Sequence, residues 1–267
     1  MRLAVLGAGK LGEALLSGML RAGRRAEDIL VTTRRAERAK ELTDRYGVRA
    51  VGNREAAAEA DVLLLTVKPQ DADTLTAELS GALSQDTLLV SFAAGMPTAY
   101  YERRLGADVP VVRVMTNTPV LVDQAMSAIS AGSHATEAHL SITEELLAPV
   151  GRVVRVPESQ QDAVTALSGS GPAYFYFLVE AMIDAGILLG LPRTVAADLL
   201  VQTALGSAQM LRDTGEHPVT LREAVTSPAG TTINAIVELE KHGVRAALIA
   251  AIEAARDRSR ELGRAHD

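Results

Sequence analysis

Short apolar runs recur through the first half of the chain, and a stretch with helical spacing follows most of them. The clearest are "LAVLG" (3–7), "DILVTTR" (28–34), "DVLLLTVKP" (61–69), "DTLLVSFAAG" (86–95) and "PVVRVMTNTP" (110–119), with "VRAVGN" (48–53) as a shorter one. In "LGEALLSGMLRAG" (11–23), residues Leu11, Leu15, Leu16, Met19 and Leu20 share one helical face. Strands that alternate with helices predict a parallel sheet joined by right-handed crossovers. The runs are apolar at consecutive positions, so these strands are expected to be covered on both faces.

Composition narrows the class. A chain of 267 residues, 48% hydrophobic and 22% charged, suits a soluble globular protein of one large or two ordinary domains. A formal net charge of -6 argues against nucleic acid as a partner, because phosphate binding needs a basic face. The absence of cysteine excludes disulfides, thiolate nucleophiles and thiolate metal sites. No uninterrupted apolar run approaches the roughly 18 residues of a membrane span. The start "MRLAVLGAGK" carries no signal-peptide cleavage pattern, so a cytoplasmic protein with no membrane partner is expected.

The turn after the first strand reads "GAGKLG", with Gly7, Gly9 and Gly12 spaced as G-x-G-x-x-G. Its position directly after a strand and at the start of a helix is the context that a dinucleotide-binding turn requires. Gly7 would allow the tight turn, Gly9 the approach of a pyrophosphate, and Gly12 close helix–sheet packing. Ala8, Lys10 and Leu11 complete this candidate phosphate cradle at a helix N-terminus. A doubly wound sheet of the Rossmann type is therefore expected over 1–157.

Nucleotides of the NAD type usually meet an acidic residue about 20 residues past the glycines. The corresponding position here is "TTRR" (32–35), which has no acid. Thr33, Arg34 and Arg35 suit a 2′-phosphate, which a carboxylate would repel, so NADPH is favoured and NADH is the weaker substitute. The arginines would equally suit the solvated start of a helix. Asn53 could reach the adenosine end. Val67, Lys68 and Pro69, and Ala93, Ala94 and Gly95, lie at further strand ends, where ligands bind in open parallel sheets. Lys68 reads either as a phosphate or ribose contact or as a solvated lysine. Asn117 reads either as a nicotinamide contact or as a turn cap.

From about Pro157 the pattern becomes helical. Ala173, Phe175, Phe177, Leu178, Met182 and Ile183 are denser than one helix face needs. A later helix would turn Leu199, Leu200, Thr203 and Met210 inward. A helix apolar nearly all round must be buried, and a domain of this size has little interior for it. A homodimer joined through the helices of 158–267 is the expectation, the alternative being an ordinary helix bundle folded back on the first domain. Within this half, "TSPAGTT" (226–232) interrupts the helical rhythm with hydroxyls at Thr226, Ser227, Thr231 and Thr232. Pro228 suits a first helical turn. Ser227 and the free N–H groups that follow could hold a small carboxylate, or the turn could simply cap a helix.

Together, "LGAGKLGEAL", "VKPQ", "RVMTNTPV", "ALSGSGPAYFYFLVEAM" and "VTSPAGTTINAI", in that order, resemble the pyrroline-5-carboxylate reductase family over essentially the whole chain. The resemblance implies reduction of a cyclic imine carrying a carboxylate to L-proline, the last step of proline synthesis, by a dimer that often assembles further, commonly to a decamer. It implies that Ser227 and the backbone at Gly230 and Thr231 hold the substrate carboxylate. Thr232 would stand beside the ring nitrogen, and Ser168 near the substrate at the dimer seam. Ser227 and Thr232 are thus the catalytic candidates. The family turn usually reads Ser-Pro-Gly-Gly, and Ala229 departs from it. Alanine there is strained if the position needs positive φ, and nearly neutral if it is helical.

Two rival readings differ in chemistry. A β-hydroxyacid dehydrogenase would use a lysine on the long middle helix. The four lysines here are Lys10, Lys40, Lys68 and Lys241, with none between 69 and 240. A non-enzymatic NADP sensor would bind nucleotide without turnover. No metal-ligand cluster is evident in the sequence.

Overall fold

The computed structural model describes residues 1–105 and 108–264. Eight strands form one sheet: β1 (Leu3–Leu6), β2 (Ile29–Thr32), β3 (Arg49–Ala50), β4 (Val62–Leu65), β5 (Leu88–Ser91), β6 (Val111–Met115), β7 (Ala125–Ala131) and β8 (Gly151–Arg155). Their order across the sheet is β3-β2-β1-β4-β5-β6-β7-β8. All neighbours are parallel except β6 and β7. The sheet is thus mostly parallel, and the antiparallel return at β7 was not expected. The chain makes that return through a short 3-10 turn (Thr118–Val122) and Asp123, whose φ of 58° reverses the backbone.

Every residue of β1, β2, β4 and β5 is buried, as consecutive apolar positions predict. Leu3 and Val5 of β1 enter one core, and Ala4 and Leu6 the other. The first core is filled from α1 (Lys10–Arg21) by Leu15, Leu16 and Met19, and from α2 (Ala36–Tyr46) by Leu42. The second is filled from α3 (Asn53–Glu59) by Ala56 and Ala57, from α4 (Pro69–Leu79) by Leu75 and Leu79, and from α5 (Thr98–Leu105) by Tyr100 and Tyr101. A further helix, α6 (Glu137–Leu147), adds Leu146 and Leu147 to the first. Helices on both faces make this the doubly wound architecture that the alternation predicts.

After β8 the chain is helical: α7 (Gln161–Val164), a π-helical turn (Thr165–Gly169), α8 (Gly171–Leu188), α9 (Arg193–Thr214), α10 (Pro218–Ala224), α11 (Thr231–Lys241) and α12 (Val244–Arg264). Two compact units result. One comprises Met1–Pro172 together with the chain from Ala255 onward, and the other Ala173–Ala254. In the second unit the described core holds a single hydrophobic side chain, Ala196. Of the expected inward positions of α9, Leu200 is half-buried, whereas Leu199 and Met210 are each 53% exposed and Thr203 is exposed.

Candidate functional site

In this sheet the chain steps outward from β1 to β2 and β3, then returns to pair β4 on the other side of β1. Such a reversal opens a crevice at the carboxyl ends of the strands. A cleft of about 1200 Å³ lies there, lined by Gly7, Ala8, Gly9, Lys10 and Leu11, by 32–35, and by 66–71. Its wall includes the expected Thr33, Arg34, Arg35, Asn53, Val67, Lys68, Pro69 and Ala94.

The three glycines differ in their surroundings. Gly7 has φ of 77°, and a Cβ there would stand 2.3 Å from Val67 Cγ1. Its N–H reaches the Thr32 carbonyl at 3.1 Å, which fixes the turn against β2. A Cβ on Gly12 would meet Thr66 Oγ1 at 2.8 Å and Val5 Cγ1 at 2.9 Å, so α1 can approach the sheet only without a side chain. Gly9 has nothing closer than its own loop carbonyl at 3.8 Å, leaving open space toward the cleft. Gly9 also caps α1 without a side-chain hydrogen bond. The cradle fits a pyrophosphate: open backbone, helix N–H groups, and no blocking side chain.

Arg38, which the motif does not reveal, supports this loop from beneath. Its Nε donates to the Ala8 carbonyl at 3.3 Å, and its guanidinium also pairs with Glu13 and Glu41. Glu13 further accepts from Arg45 and from the Tyr46 hydroxyl, each at 2.9 Å. Burial alone would push the Glu13 carboxyl up. The hydrogen bonds from Arg38 and Tyr46 and the charges of Arg38 and Arg45 outweigh it and hold the group below its ordinary range.

At the adenosine end no acid follows β2. Thr33 Oγ1 lies 3.5 Å from the Arg35 N–H, just ahead of α2. Arg34, 82% exposed, donates to both oxygens of Asp71 at 2.8 and 3.1 Å, and Asn53 donates to Glu78 at 2.6 Å. Gly12, Ala93, Gly95 and Asn117 do not line the cleft. Gly95 has φ of 76°, and a Cβ there would instead touch Leu262 at 3.6 Å. Asn117 donates to the Ser168 carbonyl at 3.2 Å and to its hydroxyl at 3.4 Å, and accepts from the Met126 N–H at 3.1 Å. Two sequence candidates far apart in the chain therefore meet at the π-helical turn.

The hydroxyl turn lies in the second unit. Thr226 closes the end of α10 through its hydroxyl, which donates to the Arg222 carbonyl at 2.6 Å. Residues 227–230 form a reverse turn closed by the Gly230 N–H on the Ser227 carbonyl at 3.1 Å. Proline at its second position and positive φ at its third is the type II pattern. Pro228 is therefore a turn residue and not, as expected, a first-turn residue of a helix. Ala229 has φ of 56°, so the strained alternative is the one realised. A Cβ on Gly230 would stand 2.3 Å from Ser227 Oγ and 3.1 Å from the Ser227 carbonyl, so a side chain there would displace the Ser227 hydroxyl. Gly230 then caps α11 with no side-chain hydrogen bond, which leaves the first-turn N–H groups without a side-chain partner. Thr231 and Thr232 open that helix. In 173–254 the acids with a displaced pKa, Asp213 and Glu240, are lowered by hydrogen bonds from surface arginines, so neither is a buried proton donor.

Among the described residues no group of three or more His, Asp and Glu is arranged to hold a metal ion.

Comparison with known proteins bears on both halves. Residues 158–262 match the family model described as pyrroline-5-carboxylate reductase dimerisation. Residues 2–95 match the model described as NADP oxidoreductase, coenzyme F420-dependent. A pyrroline-5-carboxylate reductase of Corynebacterium melassecola is 47% identical over 266 residues, covering 98% of each chain. The chain belongs to the pyrroline-5-carboxylate reductase family. Two solved members agree over 98% of both chains: one from Coxiella burnetii, at 35% identity and a TM-score of 0.92, and one from Plasmodium falciparum with NADP bound, at 27% and 0.88. Membership makes this chain an oxidoreductase that uses a pyridine nucleotide, with a helical domain of the family's dimerisation type.

Proposed function

We propose that this protein reduces 1-pyrroline-5-carboxylate to L-proline, the final step of proline synthesis, with NADPH preferred over NADH. The observation that carries the reading is the uncapped, hydroxyl-bearing start of α11 in a chain that also holds a dinucleotide cleft. Full-length likeness to reductases of this name supplies the substrate class. Preference for the 2′-phosphorylated nucleotide rests on Thr33, Arg34 and Arg35 and on the missing acid after β2.

The nucleotide supplies hydride when bound. Gly7 to Leu11, Val67 to Pro69 and Ala94 hold it in the cleft. The substrate is a small imine carrying a carboxylate. Ser227, the backbone at Gly230 and the N–H groups at Thr231 and Thr232 hold that carboxylate at a helix N-terminus. Ser168, anchored to Asn117 in the first unit, is a further substrate contact implied by the family resemblance. Hydride adds to the imine carbon, and the nitrogen carries a proton taken from solvent beforehand. A hydroxyl therefore suffices beside the nitrogen, and Thr232 orients it, which agrees with a sequence that has no lysine between 69 and 240 and no histidine between 140 and 216. Replacing Thr232 by Ala is expected to lower kcat about tenfold, the scale of one lost hydrogen bond. Unchanged kcat and KM would remove Thr232 from the site.

The division of labour falls at residue 157/158, with cofactor binding before it and substrate binding and pairing after. The apolar helices of 158–267 pair two copies of the chain. Within Glu158–Leu188 a window of 18 residues is long and apolar enough to cross a membrane by length and composition, with a mean hydropathy of 1.2. A second copy is the preferred cover, since this segment lies inside the matched dimerisation model. Further assembly to a decamer rests on the family resemblance, and residence in the cytoplasm belongs to the same reading. Net charge of -6 argues against nucleic acid as a partner. The test is loss of nicotinamide absorbance with pyrroline-5-carboxylate, run with NADPH and with NADH and with proline identified as product. Nucleotide binding without turnover on any cyclic imine would favour a sensor instead.

A further inference from the structure

Arg34 and Asp71 both line the nucleotide cleft, but they come from opposite walls. Arg34 stands in the turn between β2 and α2, and Asp71 in the first turn of α4. The guanidinium meets both carboxylate oxygens, at 2.8 and 3.1 Å. This is the fork geometry with which arginine also grips a phosphate. Asp71 therefore occupies the donor pair that a 2′-phosphate would need. Arg35, its neighbour, has no side-chain ion pair among the described residues, so the competition falls on Arg34 alone.

We propose that Asp71 is an internal competitor for the 2′-phosphate of an NADP-type nucleotide, and that it sets how strongly this enzyme distinguishes NADP(H) from NAD(H). The inference rests on the nucleotide reading of residues 33–35 given above. A nucleotide with a free 2′-hydroxyl leaves the Arg34–Asp71 pair intact. A 2′-phosphate must take Arg34 away and then lies near an unpaired carboxylate of like charge. Both effects weaken the phosphorylated nucleotide only. Asp71 is thus a specificity-determining residue that works through Arg34.

The test is calorimetric titration of the full-length enzyme with adenosine 2′,5′-bisphosphate and with AMP, which differ only in the 2′-phosphate. In Asp71→Asn the bisphosphate should bind about fivefold tighter, the upper range for an exposed pair, while AMP is unchanged. In Arg34→Met the bisphosphate should weaken and AMP hold. Adding Asp71→Asn to Arg34→Met should then give a smaller gain, from the relief of like charge alone. An unchanged bisphosphate-to-AMP ratio in Asp71→Asn overturns the proposal and leaves the cofactor reading intact. An equal gain with or without Arg34 also overturns it, because Asp71 would then act by bulk charge alone. No effect of Arg34→Met on the bisphosphate removes the cofactor reading itself, and the proposal with it.

Discussion

Leu63 of β4 and Leu205 of α9 are the same residue type in one chain, yet the first is fully buried and the second 61% exposed. The contrast holds along both units. In the first, two apolar clusters close over opposite faces of the sheet. In the second, Phe175, Phe177, Leu205 and Val237 are all exposed, and Phe177 is 70% so. The first unit satisfies the hydrophobic effect with its own residues. The second presents an apolar surface far larger than a lone chain ordinarily leaves in water. Its sequence is written for a partner.

The sharpest way to break this comparison is a charge on the exposed face. Phe177→Glu should cost association on the order of 5 kcal/mol by burying an unpaired carboxylate. Light scattering should then report monomers, with activity lost. A variant that stays assembled would mean that the face has another use. The matching change in the first unit is Leu63→Ala. It should lower unfolding free energy by about 3 kcal/mol through a cavity in the sheet core, measured by denaturant titration, while assembly persists once the protein is folded. If Leu63→Ala dissociated the protein as readily as Phe177→Glu, the two units would not be separable in this way. A smaller effect of opposite sign is expected at the turn. Ala229→Gly relieves a left-handed alanine and should stabilise by about 1 kcal/mol, read as a rise in Tm. The smallest concerns pH. Glu13 has a depressed carboxyl pKa, so its contribution is complete above the ordinary carboxylate range and disappears as pH falls through the lower folded value. Glu13→Gln should therefore narrow its stability gap from wild type as the solution is acidified.

The legible parts of the fold were those with a local period. β1, the glycine turn and α1 could be read because consecutive apolar residues, G-x-G-x-x-G and helical spacing lie within 21 residues of each other. β7 could not, since "AMSAISA" is built of small residues and offers neither a β-branched run nor alternation. β8 was hidden for another reason: "GRVVR" is an exposed edge strand with charges at two of its five positions. The candidate site divides similarly. Gly7, Gly9 and Gly12 announce themselves by spacing. Arg38 under Ala8, and Asp71 across from Arg34, depend on approaches over 30 and 37 residues that no local pattern encodes. Ala229 could be located in the sequence but not decided, because its cost depends on a torsion angle that only the fold supplies.

The position of β1 bears on how the chain is made. Its two sheet neighbours, β2 and β4, end by Leu65, so β1 and both its partners are complete in covalent terms within the first quarter of synthesis. These strands can pair while the rest is still being translated, because domains tend to condense from the N-terminus. The apolar helices α8 and α9 emerge only after all eight strands and helices α1 to α7 are already available to fold. Their exposed apolar surface is therefore made only once the sheet can already fold.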